Sequence, residues 1–122
     1  MGIPLTKYGT NFVSDNDKRA QKWKAEQEEY GFDNRETWNL DTTFIEWVYT
    51  RVMMFKECAD KTVDLSYHKI VYKGEEITQI QAMDKLLELA KQYLTNDDDE
   101  LRYSNAREIC DLWKELMPYM WW

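Results

Sequence analysis

The longest apolar segment of the chain lies between Asp41 and Lys61 and has the period of a helix. Its polar positions recur at offsets of three, four or seven residues, so they share one narrow face. The apolar positions cover most of the remaining circumference: Phe44, Ile45, Trp47, Val48, Tyr49, Val52, Met53, Met54, Phe55 and Cys58. This pattern predicts a central helix over residues 42–60 that is wrapped by other elements, with Asp41 as its N-cap.

A thinner apolar pattern precedes the central helix. Ser14 or Asp15 is a suitable N-cap for a first helix that runs to about Tyr30, where Gly31 supplies the left-handed conformation that ends many helices. Only a narrow seam of this helix is suited to burial, and it consists of Ala20, Trp23, Gln27 and Tyr30. Residues 1–13 have no helical period and are expected to form an extended arm.

Two short segments join the helices. Residues 32–40 mix two aromatics and a leucine with turn-forming Asp and Asn, which predicts a packed connector rather than a free loop. Residues 67–72 are β-branched and aromatic, and residues 75–78 return after Lys73 and Gly74. This order predicts a small β-hairpin with a two-residue turn.

Two amphipathic helices complete the chain. Thr78 and Gln81 fit a capping box at the start of the first. Its apolar face is predicted to contain Ile80, Met83, Leu86, Leu87, Ala90, Tyr93 and Leu94. After Asn96 come four consecutive acids, Asp97, Asp98, Asp99 and Glu100. They suit the first turn of the last helix, because the helix macrodipole favours negative charge there. That helix is expected to end near Met117, with Ala106, Ile109, Cys110, Trp113 and Leu116 buried.

These elements predict an α+β fold that is mainly α, with about four helices around a central apolar helix and one small β-hairpin. The 122 residues suit a single domain over 1–122, and six Trp, eight Tyr and four Phe supply a large area for its core. No membrane span or signal peptide is expected, because no apolar run is long enough. Cys58 and Cys110 are expected to be buried free thiols, which favours the cytoplasm.

Charge is the composition feature that points to a partner. The chain has 16 basic and 23 acidic residues, a formal net charge of −7, and residues 79–122 alone carry five basic and nine acidic side chains. Such a surface repels free nucleic acid. The excess of acidic residues is explained by solubility alone in the simpler interpretation. In the more specific interpretation it binds a partner protein with a basic surface.

The sequence offers little for catalysis or metal binding. His68 is the only histidine, and Cys58 and Cys110 are too far apart for a metal-ligand motif. The acids of residues 97–100 lack the glycine and distal glutamate of a calcium loop. A catalytic pair of His68 with either cysteine stays open, although the strand pattern around His68 disfavours it. No glycine-rich phosphate loop is present either. From these observations together we predict no enzyme activity, no metal and no cofactor.

Two tryptophans stand at the end of the sequence, Trp121 and Trp122. They either fold back onto the helices, which we favour, or form an exposed apolar patch for a partner.

Four segments carry a resemblance to a known family. They are ETWNLD (residues 36–41), FIEWVYTRVMMFKE (44–57), VDLSYHKIVYKGEEITQ (63–79) and WKELMPYMWW (113–122). In this combination, residues 33–122 resemble a family of small proteins encoded in phages, prophages and mobile elements of gut and related Firmicutes. Its members carry a TWNLD-type motif before a long helix, a YHK-type strand and a C-terminal Pro-x-Met-Trp-Trp. Residues 1–32 lie outside the resemblance, and no activity or catalytic residue is carried over from it.

The resemblance implies a small, acidic accessory protein of a mobile genetic element. This setting favours a counter-defence protein, such as an anti-CRISPR protein that occupies the basic channel of an effector nuclease. The alternative is an accessory protein that binds another host or phage protein without inhibiting a nuclease. The residues expected to contact a partner are Asp97, Asp98, Asp99, Glu100, Asp111 and Glu115.

Overall fold

The computed structural model describes residues 18–122, and this part of the chain divides into two compact units. The first unit ends at Thr43 and the second comprises Phe44–Trp122. The predicted extended arm of residues 1–13 and the predicted N-cap at Ser14 or Asp15 lie outside the described residues. The single domain over 1–122 stays a prediction.

The predicted fold class is confirmed: within residues 18–122 the chain forms four α-helices and one antiparallel hairpin. The helices are α1 (Lys18–Tyr30), α2 (Leu40–Ala59), α3 (Gln79–Thr95) and α4 (Asp99–Leu116). The strands are β1 (Lys69–Tyr72) and β2 (Glu75–Thr78), and short 3-10 helices cover Asn34–Thr37 and Met117–Tyr119.

The first unit is organised around a buried ion pair in the connector after α1. Arg35 donates from Nε to Asp33 Oδ1 (2.9 Å) and from Nη2 to Asp33 Oδ2 (2.7 Å), and both side chains are almost fully buried. The Arg35 guanidinium also lies over the ring of Trp23, 4.0 Å from its centroid. Trp23 Nε1 donates to Asn34 Oδ1 (2.9 Å), and Gln27 Nε2 donates to Asp33 Oδ2 (2.6 Å). These contacts offset part of the free-energy cost of burying the two charges.

The connector is packed, as predicted, but charged rather than aromatic residues are buried in it. Phe32 and Trp38 are exposed, and so is Tyr30, which was expected in the buried seam of α1. Gly31 does end α1 with a positive φ of 84°, and its N–H donates to Gln27 O (2.9 Å).

The prediction that most of the circumference of α2 is buried is wrong. Its fully buried residues form one stripe at helical spacing, Ile45, Val48, Val52 and Ala59. Phe44, Trp47, Met53 and Met54 are exposed, and the Arg51 guanidinium covers the Trp47 ring at 4.6 Å. The helix begins at Leu40, so Asp41 lies in its first turn rather than at the N-cap. The apolar pattern does not distinguish among these side chains, whereas only the stripe that contacts a neighbouring element is buried.

In the second unit, many of the buried side chains belong to α3 and α4, which pack as an antiparallel pair. The predicted capping box at Thr78 and Gln81 is confirmed. Buried residues of α3 are Gln79, Ala82, Met83, Leu86, Leu89, Ala90 and Tyr93, while Ile80, Leu87 and Leu94 are partly buried at its edge. Asn105 of α4 joins the two helices by donating from Nδ2 to Leu89 O (3.3 Å) and Gln92 Oε1 (3.1 Å).

The hairpin confirms the predicted two-residue turn. Lys73 and Gly74 both have positive φ (52° and 79°), which is the conformation of the tight turn that suits strand twist. The first strand is shorter than predicted, because Tyr67 and His68 precede it.

Both cysteines are free, as predicted, but only Cys58 is partly buried. Cys110 is exposed on α4, where the buried positions are Asn105, Ile109, Leu112 and Leu116.

Candidate functional site

The acidic start of α4, defined as Asp97, Asp98, Asp99 and Glu100, is fully displayed at the surface. Asp98 is the N-cap, and its Oδ1 accepts from the backbone N–H groups of Glu100 (3.0 Å) and Leu101 (3.4 Å). Asn96 Oδ1 accepts a hydrogen bond from Asp98 N (2.8 Å), which stabilises the segment that precedes the helix. The chain therefore uses one of the four carboxylates to stabilise the helix and leaves the others facing solvent.

The acidic start has little compensating positive charge. Asp99 lies 3.9 Å from Arg102, a weak exposed pair. Within residues 18–122, Asp97, Asp98 and Glu100 have no basic side chain within 4 Å. Four lysines of the second unit are paired with acids outside this group: Lys56 with Asp84, Lys69 with Glu76, Lys73 with Glu108 and Lys85 with Glu88. The negative charge of this end of α4 is therefore available to a partner.

The other two predicted contact residues, Asp111 and Glu115, lie elsewhere on the same helix. They line a cleft of about 280 Å³ between α4 and the tip of the hairpin. Asp111 is twelve residues beyond Asp99, which places it about 18 Å along the helix axis. The six predicted residues thus form two groups, and only the four at the start of α4 are contiguous.

An ion pair crosses the cleft beside Asp111. Lys73 Nζ lies 2.7 Å from Glu108 Oε1, and Tyr72 Oη donates to Glu108 Oε2 (3.1 Å). The hydrogen bond from Lys73 is the main cause that lowers the pKa of Glu108, and the same contact raises the pKa of Lys73. Glu108 is therefore occupied in holding the hairpin to α4, while Asp111 and Glu115 are exposed.

A second candidate site is a cavity of about 380 Å³ at the end of the chain, here called the aromatic cavity. It lies between the segment that precedes β1, the first residue of α3 and the C-terminal tail. Its lining consists of Val63, Asp64, Tyr67, His68, Gln79, Tyr119 and Trp121. His68 stacks on Tyr119 with ring centroids 4.4 Å apart and an interplanar angle of 19°. Tyr67 meets His68 edge-on at 5.1 Å.

The expectation that the terminal tryptophans pack onto the core is wrong. Trp121 is 59% exposed and Trp122 is 62% exposed, whereas the preceding Tyr119 and Met120 pack against the core. The chain therefore anchors its tail through Tyr119 and Met120 and presents both indoles to solvent.

Sequence reasoning missed the aromatic cavity although its residue types were visible. The cavity combines Tyr67 and His68 with residues some fifty positions later, and only the fold brings them together. The one local signal was the density of aromatic residues after Pro118. Gln79 gave no signal, because it looks like an ordinary first-turn residue of α3.

No metal site is visible in the described part of the chain, which has no cluster of three or more His, Cys, Asp or Glu side chains suited to an ion. The ring of His68 stacks on Tyr119 and meets Tyr67 edge-on.

None of the described helices combines the length and apolarity needed to cross a membrane. Comparisons of the chain with protein-family models, with curated proteins and with solved structures give no match.

Proposed function

We propose that this protein is a phage-derived counter-defence protein that acts in the bacterial cytoplasm, binds a CRISPR effector nuclease and competes with nucleic acid there. It acts by binding and not as an enzyme. The observation that carries the proposal is the acidic start of α4, where Asp99 has only a weak pair with Arg102 and the other three exposed carboxylates have no basic side chain within 4 Å among residues 18–122. The resemblance of residues 33–122 to small proteins of mobile elements supplies the setting.

Electrostatics gives the physical reason. Effector nucleases hold nucleic acid in positively charged channels and contact its backbone. A contiguous set of exposed carboxylates at a helix start presents closely spaced negative charge, as a phosphate backbone does. A net charge of −7 also steers the chain toward a basic surface and away from free nucleic acid.

A second candidate function is supported by the other end of α4. Tyr67, Trp121 and Trp122 are exposed aromatic residues, and exposed Trp and Tyr are typical of protein contacts. They favour an accessory protein that binds another host or phage protein without inhibiting a nuclease. Both functions predict a protein partner, and they differ in whether cleavage is inhibited and in which surface is needed.

The experiment is capture of partners from a host lysate, followed by a cleavage assay on any nuclease recovered. It compares the parent with Asp97→Asn/Asp99→Asn/Glu100→Gln, which removes three charges and keeps the Asp98 cap. The matched control is Glu57→Gln/Asp60→Asn/Glu75→Gln, which removes three exposed charges elsewhere. We expect the first variant to inhibit cleavage at least tenfold less well, roughly the scale of electrostatic steering, and the control to inhibit like the parent.

Two results would contradict the proposal. If both variants inhibit as well as the parent, the acidic start of α4 is not the contact. If capture recovers a partner that is not a nuclease and cleavage is unaffected, the second function replaces the first.

A further inference from the structure

The aromatic cavity has a chemistry that the acidic start of α4 does not share. Four of its seven lining side chains carry aromatic rings: Tyr67, His68, Tyr119 and Trp121. Of these seven residues, Asp64 is the one with a formal charge, and it is negative and exposed. The faces of aromatic rings attract cations through their quadrupole. A carboxylate beside such rings therefore selects a guest with a positive charge.

The cavity is also built in advance of any guest. The side chain of Gln79 is 2% exposed, and its Nε2 donates to Tyr119 O (3.0 Å), while Met120 Sδ lies 3.8 Å from the same nitrogen. Gln79 N donates to His68 O (2.8 Å), so one residue holds both walls of the cavity. Trp121 N donates to Tyr119 O (2.9 Å), which continues this order into the tail. Walls that are already fixed reduce the entropy cost of binding.

From these contacts we propose that the aromatic cavity binds an arginine side chain of the partner protein. The guanidinium is planar and always charged, so it stacks on a flat ring such as Trp121. Asp64 Oδ1 accepts one hydrogen bond from Ser66 N (2.9 Å), and the carboxylate retains further acceptor sites for the guanidinium donors. The proposal rests on the proposed function in one respect: it assigns the arginine to the basic surface of that partner.

The test uses blocked five-residue peptides of sequence Gly-Ser-Arg-Ser-Gly and its citrulline, lysine and proline counterparts. They are titrated into the full chain labelled with ¹⁵N, and the indole N–H signal of Trp121 is followed. Trp121→Phe identifies that signal by its loss. We expect the arginine peptide to shift the signal in a saturable manner and the citrulline peptide, which has the same shape without the charge, to bind about tenfold more weakly.

Three variants locate the site. Trp121→Ala and Asp64→Asn should each weaken binding of the arginine peptide about five- to tenfold, because each removes one attractive partner of the cation. Trp122→Ala is the matched control, since Trp122 is equally exposed but does not line the cavity, and it should bind like the parent. Circular dichroism of each variant confirms that the fold is retained.

Several outcomes would overturn the proposal. Equal binding of arginine and citrulline peptides would show that the cavity does not recognise charge. Tighter binding of the proline peptide would assign it to a proline-containing segment. No saturable shift of Trp121 with millimolar arginine peptide would show that it binds no such side chain. Because these titrations use no nuclease, their failure is distinguishable from failure of the charge-removal test on the acidic start of α4.

Discussion

The two ends of α4 present surfaces of different kinds. Its N-terminal end displays the four consecutive carboxylates of the acidic start, and the main contact that orders them is the Asp98 cap. In its last turn Leu116 is fully buried, and beyond that turn the tail is tied to α3 through Gln79. Charge acts over distance and tolerates imprecise geometry, whereas an aromatic cavity depends on the packing of the residues beneath it. Changes in the core should therefore damage the second surface and spare the first.

The largest effect is expected from Leu116→Ala. This side chain is 0% exposed at the end of α4, so its truncation leaves a cavity in the core. We expect the free energy of unfolding to fall by about 2–5 kcal/mol, measured by urea denaturation. Met117→Ala is the neighbouring control, because Met117 is 56% exposed, and it should change stability by less than about 0.5 kcal/mol. Equal effects of the two substitutions would mean that Leu116 does not contribute to the core as its burial predicts.

A smaller but more specific effect is expected from Gln79→Ala. It removes the donor to Tyr119 O in a buried setting, which should cost about 1–3 kcal/mol and release the tail. Gln81→Ala serves as control, because it weakens the capping box without touching the tail. The indole signal of Trp121 should move in the first variant and stay in place in the second. An unchanged Trp121 signal in Gln79→Ala would show that Gln79 does not position the cavity.

At the acidic end of α4 the comparison lies between two adjacent aspartates. Asp98→Ala removes the N-cap and should lower the free energy of unfolding by about 1 kcal/mol, whereas Asp97→Ala removes the same charge and no cap. Thermal unfolding of both variants makes the measurement. If Asp97→Ala is as destabilising as Asp98→Ala, the loss comes from charge and not from capping.

The smallest expected effect is a pH dependence of stability that arises from Glu108, which lies between the two ends of α4. Because the contact with Lys73 lowers the pKa of Glu108, its contribution to stability is present above its ordinary value of 4.5 and is lost as the pH falls through the lowered value. Urea unfolding from neutral pH to about pH 3 should therefore show a weaker acid dependence in Glu108→Gln than in the parent. Identical pH profiles of the variant and the parent would indicate that the ion pair of Lys73 and Glu108 does not contribute to the free energy of unfolding.

Local rules predicted the parts of the fold that depend on neighbouring residues. The capping box of Thr78 and Gln81, the turn at Lys73 and Gly74, and the end of α1 at Gly31 follow from backbone chemistry within a few positions. Each needs no knowledge of what packs against it, and the structure confirms all three.

Burial was harder to predict, because it depends on which face meets a neighbour. The apolar content of α2 suggested a helix buried nearly all round, yet Trp47 and Met54 are exposed. Conversely, nothing in the sequence pattern predicted that the charged side chains of Asp33 and Arg35 are buried, yet they pair with each other inside the first unit. The aromatic cavity was unpredictable for the same reason, since it joins segments that are distant in sequence.

The central claim is that the acidic start of α4 is the surface that meets a basic partner. The most direct measurement is the association rate constant with the captured partner over a range of salt concentrations. We expect the rate of the parent to fall steeply with salt, since exposed charges are screened over about 8 Å at physiological ionic strength. Asp97→Asn/Asp99→Asn/Glu100→Gln should associate more slowly at low salt and lose most of the salt dependence, while Glu57→Gln/Asp60→Asn/Glu75→Gln should follow the parent. Equal rates and equal salt slopes for the two variants would contradict the claim.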